Sequence, residues 1–299
     1  MGQETETYVL AQLFLSGLAF GSIYAMVGIG FNIIYNATGI INLAQGEFVM
    51  LGGMLMVWAN QSLGLPVCAA VAVSVAMVAG IGILFERAAV RPLRNPTVLV
   101  LIIITIAGSF LMRGAALLLW GDRVYSVGSF LGEQPVKIFG AMITRQHVLI
   151  FGTLLVVAAA LATFFSYTLT GKAMRACSFN RTAARLVGIN AHTMVMMSFG
   201  MSAAIGALAG AVIVPVTGVQ YDDGAMLGLK GFCASVLGGL GNNPAAAVAG
   251  ILLGILESLT SYVSSAYKDA ISLGILLVVL FIRPSGLFGK TSLRHLSDF

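Results

Sequence analysis

Charged residues are scarce in this sequence of 299 residues: only 9% are Asp, Glu, Lys or Arg, whereas 59% are hydrophobic. Soluble domains carry about 25% charged residues, so this chain has too few polar side chains to cover a soluble core. Apolar runs of about 20 residues are long enough to cross a bilayer, and a backbone inside lipid must satisfy its hydrogen bonds within helices. The composition therefore predicts an all-α, multi-pass membrane protein.

The start of the chain lacks the basic residues of a secretory signal peptide. It reads MGQETETY, with Glu4 and Glu6 and no Lys or Arg before the first apolar run. A signal peptide needs a positively charged start. We therefore expect the first apolar span to be retained.

Cysteine and histidine are also scarce, with three of each in the chain. Cys68, Cys177 and Cys233 are isolated from one another, so they are expected to be small apolar residues. The histidines lie far apart, and no nucleophile stands with a suitable base. We therefore expect neither a metal site nor catalysis in this chain.

A nucleotide-binding loop is missing as well. GLFGKTS at 286–292 contains G-K-T, but it lacks the earlier glycine and the preceding buried strand of a P-loop. We expect no cofactor in this chain, so any ATP and Mg would be bound by other subunits.

What the sequence does contain is a series of nine apolar crossings. The second and seventh are short, rich in glycine or interrupted by polar residues. Eight crossings with one re-entrant segment is the alternative. The predicted crossings are 9–35, 39–59, 65–85, 97–119, 147–167, 192–214, 224–241, 244–264 and 269–282.

Basic residues are concentrated in two loops and the C-terminal tail. With nine crossings these three segments lie on one side, which the positive-inside rule assigns to the cytoplasm. We therefore predict an outside N-terminus and an inside C-terminus, and we attribute the net charge of +5 to topology rather than to nucleic-acid binding. The set is Arg87, Arg91, Arg94, Lys172, Arg175, Arg181, Arg185, Arg283, Lys290 and Arg294.

Two segments of the chain resemble each other. NLAQGEFVMLGGM at 42–54 and GLKGFCASVLGGL at 228–240 share a leucine and an LGG, although chance is an alternative because Gly and Leu are abundant. The two segments run in opposite directions across the membrane, as an inverted-topology repeat requires. Such repeats form a pathway from interrupted helices, which makes 38–54 and 224–241 the candidate pathway segments.

This pattern predicts a single transmembrane domain over 1–299. Its expected parts are a first repeat at about 9–120, a connecting helix at 147–167, a cytoplasmic loop at 170–191 and a second repeat at about 192–290.

The longest inner loop, GKAMRACSFNRTAARLVGIN at 171–190, carries four positive charges. Met174, Cys177, Ala184 and Leu186 form a partial apolar stripe, followed by Gly188. A short surface helix ended by a glycine turn is suited to docking into a groove of another protein. The alternative is a basic loop that only enforces topology.

Taken together, these segments resemble the permease subunits of ABC importers for branched-chain amino acids, and more narrowly the first of that system's two related permeases. The resemblance runs from about residue 10 to 290. It is carried by GLAFGSIYAMVGIGFNIIYNATGIINLAQGEFVMLGGM (17–54), GKAMRAC…AARLVGIN (171–190), GLKGFCASVLGGLGNNPAAAVAGILLGILE (228–257) and RPSGLFG (283–289).

The resemblance implies a bacterial inner-membrane protein that works with a second related permease, two ATPase subunits and an extracytoplasmic binding protein. ATP would be hydrolysed by the ATPases, so this chain would not be an enzyme. The loop that engages them would contain Gly171, Arg175, Ala176, Arg185 and Gly188. The family usually has a histidine where this chain has Gln45, which leaves urea or short amides as alternative substrates.

Four ionisable residues fall inside the predicted spans, where such residues usually have a partner or a function. Arg113 lies about 10 Å from the outer end of its span and could snorkel to the interface. Lys230 could face a cavity or neutralise a carboxylate. The other two are Glu47 and Glu257.

Glu47 has three interpretations. It could cap the helix that follows Gly46, pair with Lys230 or contact substrate directly. Asn42 and Gln45 are neutral hydrogen-bonding groups and are expected to face the cavity. The predicted substrate pathway thus contains Asn42, Gln45, Glu47 and Lys230. A secondary transporter driven by protons or sodium is a competing class, but it would need a longer relay of carboxylates.

Overall fold

Helices form almost all of the regular structure in the computed structural model, which describes residues 2–93, 97–132, 134–138, 141–262, 268–283 and 286–288. Three of the basic residues above, Arg94, Lys290 and Arg294, lie outside these ranges, as do parts of the 283–289 and 286–292 motifs. The helices are α1 (Gly2–Thr38), α2 (Gln45–Gln61), α3 (Val67–Phe85), α4 (Val98–Trp120), α5 (Arg145–Tyr167), α6 (Leu169–Phe179), α7 (Arg181–Leu186), α8 (Ala191–Thr217), α9 (Asp223–Gly238), α10 (Asn243–Ser261) and α11 (Lys268–Ile282).

Each of the nine predicted crossings coincides with a helix, but the helices differ in length. Within the part of the chain that the structure describes, six stretches are long and apolar enough to cross a membrane: Tyr8–Thr38, Val67–Val90, Val98–Trp120, Arg145–Tyr167, Ala191–Thr217 and Asn243–Ser261. Helices α2, α9 and α11 have 17, 16 and 15 residues. At 1.5 Å per residue they are only about 23–26 Å long, shorter than a hydrocarbon core of about 30 Å. The number of full crossings therefore stays a prediction.

One short segment departs from the helical architecture that the sequence predicts. A hairpin precedes α5, with strand β1 (Pro135–Ile138) antiparallel to strand β2 (Ala141–Thr144) and Pro135 opposite Thr144. Val136, Ile138 and Ile143 are β-branched residues that favour an extended backbone. Four-residue strands are too short to produce a clear alternating pattern among so many apolar residues.

Helices α1 and α8 form the centre of the bundle. Of their most apolar stretches, 67% and 72% of the residues are buried, compared with 17% in α4. Helix α1 packs mainly along α10, and α8 packs along α2 and α3. Helix α9 contacts α1, α2 and α10. The long central helices thereby hold the two short helices α2 and α9 against each other.

Glycines allow the central helices to approach closely. A Cβ at Gly254 of α10 would overlap the backbone of Gly21 in α1, and a Cβ at Gly250 would overlap Ala25. Membrane helices associate through such small residues because no hydrophobic force drives them together in lipid. Part of the abundance of glycine, 36 residues in all, is thus used for backbone-to-backbone packing.

Candidate functional site

The first interrupted segment lies between α1 and α2. Helix α1 ends at Thr38, followed by Gly39 with a φ of +74°, whose amide donates to Tyr35 O at 2.7 Å. This is a glycine helix stop of the usual left-handed kind. Asn42 is fully buried and its Oδ1 accepts from the amide of Ala44 at 3.2 Å, just before α2 begins.

Gln45 connects three helices instead of facing an open space. Its Nε2 donates to Ser202 O at 3.2 Å, and Ser202 Oγ lies 2.6 Å from Gln45 Oε1 and 2.8 Å from Gly30 O. Gln45 is fully buried, as is Ser202. Neither Asn42 nor Gln45 lines either of the two cavities described below. The amide of Gln45 uses both of its ends in hydrogen bonds, whereas Asn42 Nδ2 is buried without a hydrogen-bond partner. That the two side chains face the substrate pathway stays a prediction.

Glu47 lies in the first turn of α2 and pairs with α4. Its Oε1 accepts from Arg113 Nη2 at 2.7 Å and from Ser109 Oγ at 2.8 Å. Its Oε2 is buried without a hydrogen-bond partner beside Gly224 of α9. Of its three interpretations, a capping bond to α2 and a pair with Lys230 are not what the structure shows, and direct contact with substrate stays a prediction.

Arg113 pairs with Glu47 and does not extend to the membrane interface, as snorkelling would require. Ser109 and Arg113 are four residues apart, which places them on one face of α4, and this face meets the first turn of α2. A buried carboxylate without a cation would be costly, so the Arg113 side chain turns inwards to the Glu47 carboxylate.

Lys230 pairs with the carboxylate of Glu257 in α10. Neutralising a carboxylate was one of the two roles proposed for Lys230 from the sequence. Lys230 Nζ lies 2.7 Å from Glu257 Oε1 and donates to Tyr24 Oη at 3.3 Å. The hydroxyl of Tyr24 in α1 donates to Glu257 Oε1 at 3.2 Å, and the ammonium group lies 5.3 Å from the centre of the Tyr24 ring. The three side chains thus connect α1, α9 and α10.

Glu257 and Tyr24 were not among the predicted pathway residues. Glu257 could have been included, because it is ionisable and falls inside an apolar run. Tyr24 carries no such signal, because only the packing of α1 on α10 brings it to the ion pair.

A cavity of about 370 Å³ surrounds this ion pair, and we call it the Lys230 cavity. Its rim includes Thr217 and Met226, which are exposed, so the cavity reaches the molecular surface. The loop after α8 forms one edge, where Val219 exchanges two backbone hydrogen bonds with Tyr125. The lining is Phe20, Tyr24, Val49, Met50, Gly210, Ile213, Thr217, Gly218, Val219, Asp223, Met226, Leu227, Lys230, Gly254, Glu257, Ser258 and Ser261.

A larger cavity of about 1170 Å³ lies further along α1, towards α6. Ile29 and Ile33 of α1, Val236 of α9 and Arg175 of α6 contribute to its lining. On α1, Tyr24 in the Lys230 cavity and Ile29 in the larger cavity are only about 7.5 Å apart along the helix.

Glycine packing closes the space between the two cavities. A Cβ at Gly28 of α1 would stand 3.0 Å from Gly231 O of α9, and a Cβ at Gly231 would overlap Val27. Both glycines lie between the residues of their helices that line the two cavities. The α1–α9 contact is thus a narrow, close-packed barrier.

The predicted docking loop forms two helices, α6 and α7, instead of one. Met174, Cys177 and Ala184 are buried, whereas Leu186, expected in the same apolar stripe, is 85% exposed. Gly171 is buried in the first turn of α6, where a Cβ would overlap Phe164 O. Gly188 has a φ of +86°, as expected of a glycine turn.

The outer face of these two helices is basic and apolar. Arg175, Ala176 and Arg185 are exposed, and their role in docking stays a prediction. Phe179 is 94% exposed and Val187 is also exposed. We call this surface, with Leu186, the α6–α7 platform.

Arg181 of α7 turns away from the platform to the end of α1. Its Nη2 donates to Ala37 O, in the last turn before the α1–α2 interruption. Burial, with a smaller contribution from the charge of Arg185, lowers the pKa of Arg181. A cation at a helix C-terminus interacts favourably with the helix dipole. The platform is therefore directly attached to α1.

The described residues bring no three His, Cys, Asp or Glu side chains together in an arrangement that could hold a metal ion. The long apolar helices of the described residues define a multi-pass membrane protein, with two ion pairs and two cavities between its helices.

The comparison with known proteins identifies the family. The family model "branched-chain amino acid transport system / permease component" matches residues 13–280. The chain belongs to this family.

Relatives match along almost the whole chain. The high-affinity branched-chain amino acid transport system permease protein LivH of Escherichia coli K12 is 34% identical over 95% of this chain and 96% of its own length. The permease protein BraD of Pseudomonas aeruginosa is 33% identical, over 95% and 97%. A probable branched-chain amino acid transport permease protein LivH of Methanocaldococcus jannaschii is 26% identical, over 91% and 90%. These relatives are named as transport permeases and not as enzymes.

Proposed function

We propose that this chain is the permease subunit of an ATP-driven ABC importer and forms the path of branched-chain or other hydrophobic amino acids across the bacterial inner membrane. The observation that carries the proposal is the similarity to LivH and BraD over 95% of the chain. The presence of a basic, apolar platform at one end of the bundle supports it, because ATP must be hydrolysed by other subunits.

Two ATPase subunits, a second related permease and an extracytoplasmic binding protein are the proposed partners. One ATPase would dock on the α6–α7 platform, with Arg175 and Arg185 supplying charge and Phe179 and Leu186 supplying apolar contact. Arg181 would transmit the movement of the platform to the end of α1, next to the interruption that precedes α2. ATP and Mg would be held by the ATPases.

An inverted repeat is the proposed basis of alternating access. The packing supports it: exchanging α1 with α8, α2 with α9 and α3 with α10 converts the α1–α10 contact into α8–α3, and α2–α8 into α9–α1. Helices α2 and α9, which carry the two matched sequence segments, are both short and contact each other. This arrangement agrees with nine crossings, an outside N-terminus and an inside C-terminus.

The pathway would contain the predicted residues in different ways. Lys230 already borders a cavity. Asn42, Gln45 and Glu47 lie at the start of α2 and are buried, so they would meet substrate only when α2 moves relative to α8 and α4.

Transport of radiolabelled leucine into proteoliposomes tests the function. Uptake should require this chain, its partner permease, the ATPases, the binding protein and ATP together. Uptake by this chain alone, driven by a proton or sodium gradient, would reject the proposal in favour of a secondary transporter. Competition by urea or acetamide, without competition by leucine, would retain the importer and change its substrate.

The role of the platform is tested with the variant R175A/R185A. We expect normal membrane insertion and ATP hydrolysis but loss of transport, because the docking charges are removed while the buried Met174 and Cys177 are untouched. K172A, which removes an exposed cation from α6, the helix of Arg175, is the control. Wild-type transport by R175A/R185A would rule out the docking role of these arginines.

A further inference from the structure

We propose that the Lys230 cavity is a binding site for the zwitterionic backbone and apolar side chain of an α-amino acid. The choice of an amino acid as ligand rests on the proposed function. What the inference adds is the place where this ligand binds within the single subunit. Charge, shape and closure of the cavity each support it.

Charges of both signs lie together inside the cavity. Lys230 and Glu257 form its ion pair, with only 12% and 10% of their side chains exposed. Lys230 lies seven residues into α9, so the pair is about 10 Å below the start of that helix. A free amino acid carries one carboxylate and one ammonium group, which match Lys230 and Glu257 respectively. A charged ligand at this depth needs such fixed partners, because the surrounding helices are apolar.

Asp223 biases the cavity towards a ligand with an ammonium group. It lines the cavity nearer the rim, and its Oδ2 accepts from the amide of Gln220 at 2.7 Å. Among the described residues of the lining, Lys230 can carry a positive charge and Glu257 and Asp223 negative ones. Groups of both signs accommodate a zwitterion better than a simple anion.

The remaining wall suits an aliphatic side chain. Phe20, Val49, Met50, Ile213 and Leu227 line it and come from α1, α2, α8 and α9. A volume of about 370 Å³ falls at the small end of ligand sites, which usually measure about 300–1,000 Å³. The cavity therefore fits a single small amino acid better than a peptide or a lipid.

The inner end of the cavity is closed by the Gly28–Gly231 contact between α1 and α9. The rim is open at Thr217 and Met226, so a ligand could enter from one side only. This one-sided access is what an alternating-access transporter requires of a substrate site.

The test measures binding of radiolabelled L-leucine to the purified permease–ATPase complex in lipid nanodiscs, without the binding protein. The wild type should bind leucine saturably, and leucinol, which lacks the carboxylate, should compete poorly. The double variant K230Q/E257Q removes both charges without leaving one buried alone. Its affinity should fall by about tenfold to a hundredfold, because hydrogen bonds to charged groups are lost.

Two further variants separate binding from folding. L227W fills the cavity without changing its charge and should abolish binding. K172A removes an exposed cation of α6 and should leave leucine affinity within about twofold of the wild type, because Lys172 does not line the Lys230 cavity. Elution as an intact complex with its ATPases shows that each variant is assembled.

Absence of saturable binding to the wild type, or unchanged affinity in both K230Q/E257Q and L227W, would overturn the proposed site. The proposed function fails by a different result. If the complete wild-type importer with its binding protein does not take up leucine, the substrate class is wrong; if it does, and the cavity variants bind normally, only the site is wrong.

Discussion

The two buried ion pairs have the same length and different surroundings. Glu47–Arg113 and Lys230–Glu257 both measure 2.7 Å. Glu47 is packed among α2, α4 and α9, and one of its carboxylate oxygens has no hydrogen-bond partner. Lys230 and Glu257 instead border a cavity open to the surface. Both pairs hold helices together, and the Lys230–Glu257 pair is in addition accessible from a cavity.

The largest expected effect is the loss of Arg113. R113Q leaves the Glu47 carboxylate buried without its cation, which costs about 3–5 kcal/mol when one partner of a buried pair is removed. We expect a marked fall in thermal stability and yield, measured by fluorescence-detected size exclusion after heating. The double variant E47Q/R113Q should recover most of the loss. Wild-type stability of R113Q would show that the pair does not stabilise the α2–α4 contact.

Loss of Lys230 should cost less, because water in the cavity can solvate the remaining carboxylate. For K230Q we expect a destabilisation of about 1.5–3 kcal/mol, the range for hydrogen bonds to charged groups. The same heating measurement checks it, with R113Q as the reference. A larger loss in K230Q than in R113Q would reverse the comparison and make the Lys230 pair the structural one.

Helices α2 and α9, which carry Glu47 and Lys230, pack closely against each other through glycines. A Cβ at Gly46 would overlap Gly224 O and meet Gly228 Cα at 2.8 Å, so G46A should push the helices apart. Overpacking of this kind costs about 1–3 kcal/mol. G114A is the matched control, because nothing lies within 4 Å of a Cβ at Gly114 in α4. Equal melting temperatures for G46A and G114A would contradict close packing of α2 on α9.

The smallest expected effect is that of S109A. It removes one 2.8 Å hydrogen bond to Glu47 but leaves the arginine in place, so the cost should be about 1 kcal/mol. T105A on the same helix is a useful comparison, because its hydroxyl lies near the backbone of Leu43 and not near Glu47. A loss in S109A as large as that in R113Q would mean that the hydroxyl, and not the cation, is the essential partner.

Much of the helical architecture could be predicted from local patterns. Apolar runs predicted a helix at each of the nine places, because length and hydropathy are properties of consecutive residues. The apolar positions Met174, Cys177 and Ala184 were also predicted correctly in the loop. Leu186 was not, because α7 is too short to bury all its apolar residues and ends beside the exposed Val187.

The ion partners could not be predicted, because they depend on which helices become neighbours. The internal sequence match aligned Lys230 with the α2 segment and suggested a pair with Glu47. In the bundle, α4 covers the start of α2 with Arg113, and α10 covers α9 with Glu257. Asn42 and Gln45 were expected to face a cavity, but the packing of α8 on α2 brings Ser202 to Gln45.

The sequence by itself determined the membrane class, the helical segments and the family, since these follow from composition, apolar length and recurring motifs. Only the tertiary structure decided which charges are paired and which of them border a cavity. The reason is physical: burial in an apolar medium forces each charge to find a partner, but the partner is supplied by whichever helix packs beside it. In this chain that packing is set by glycine contacts, whose neighbours are distant in the sequence.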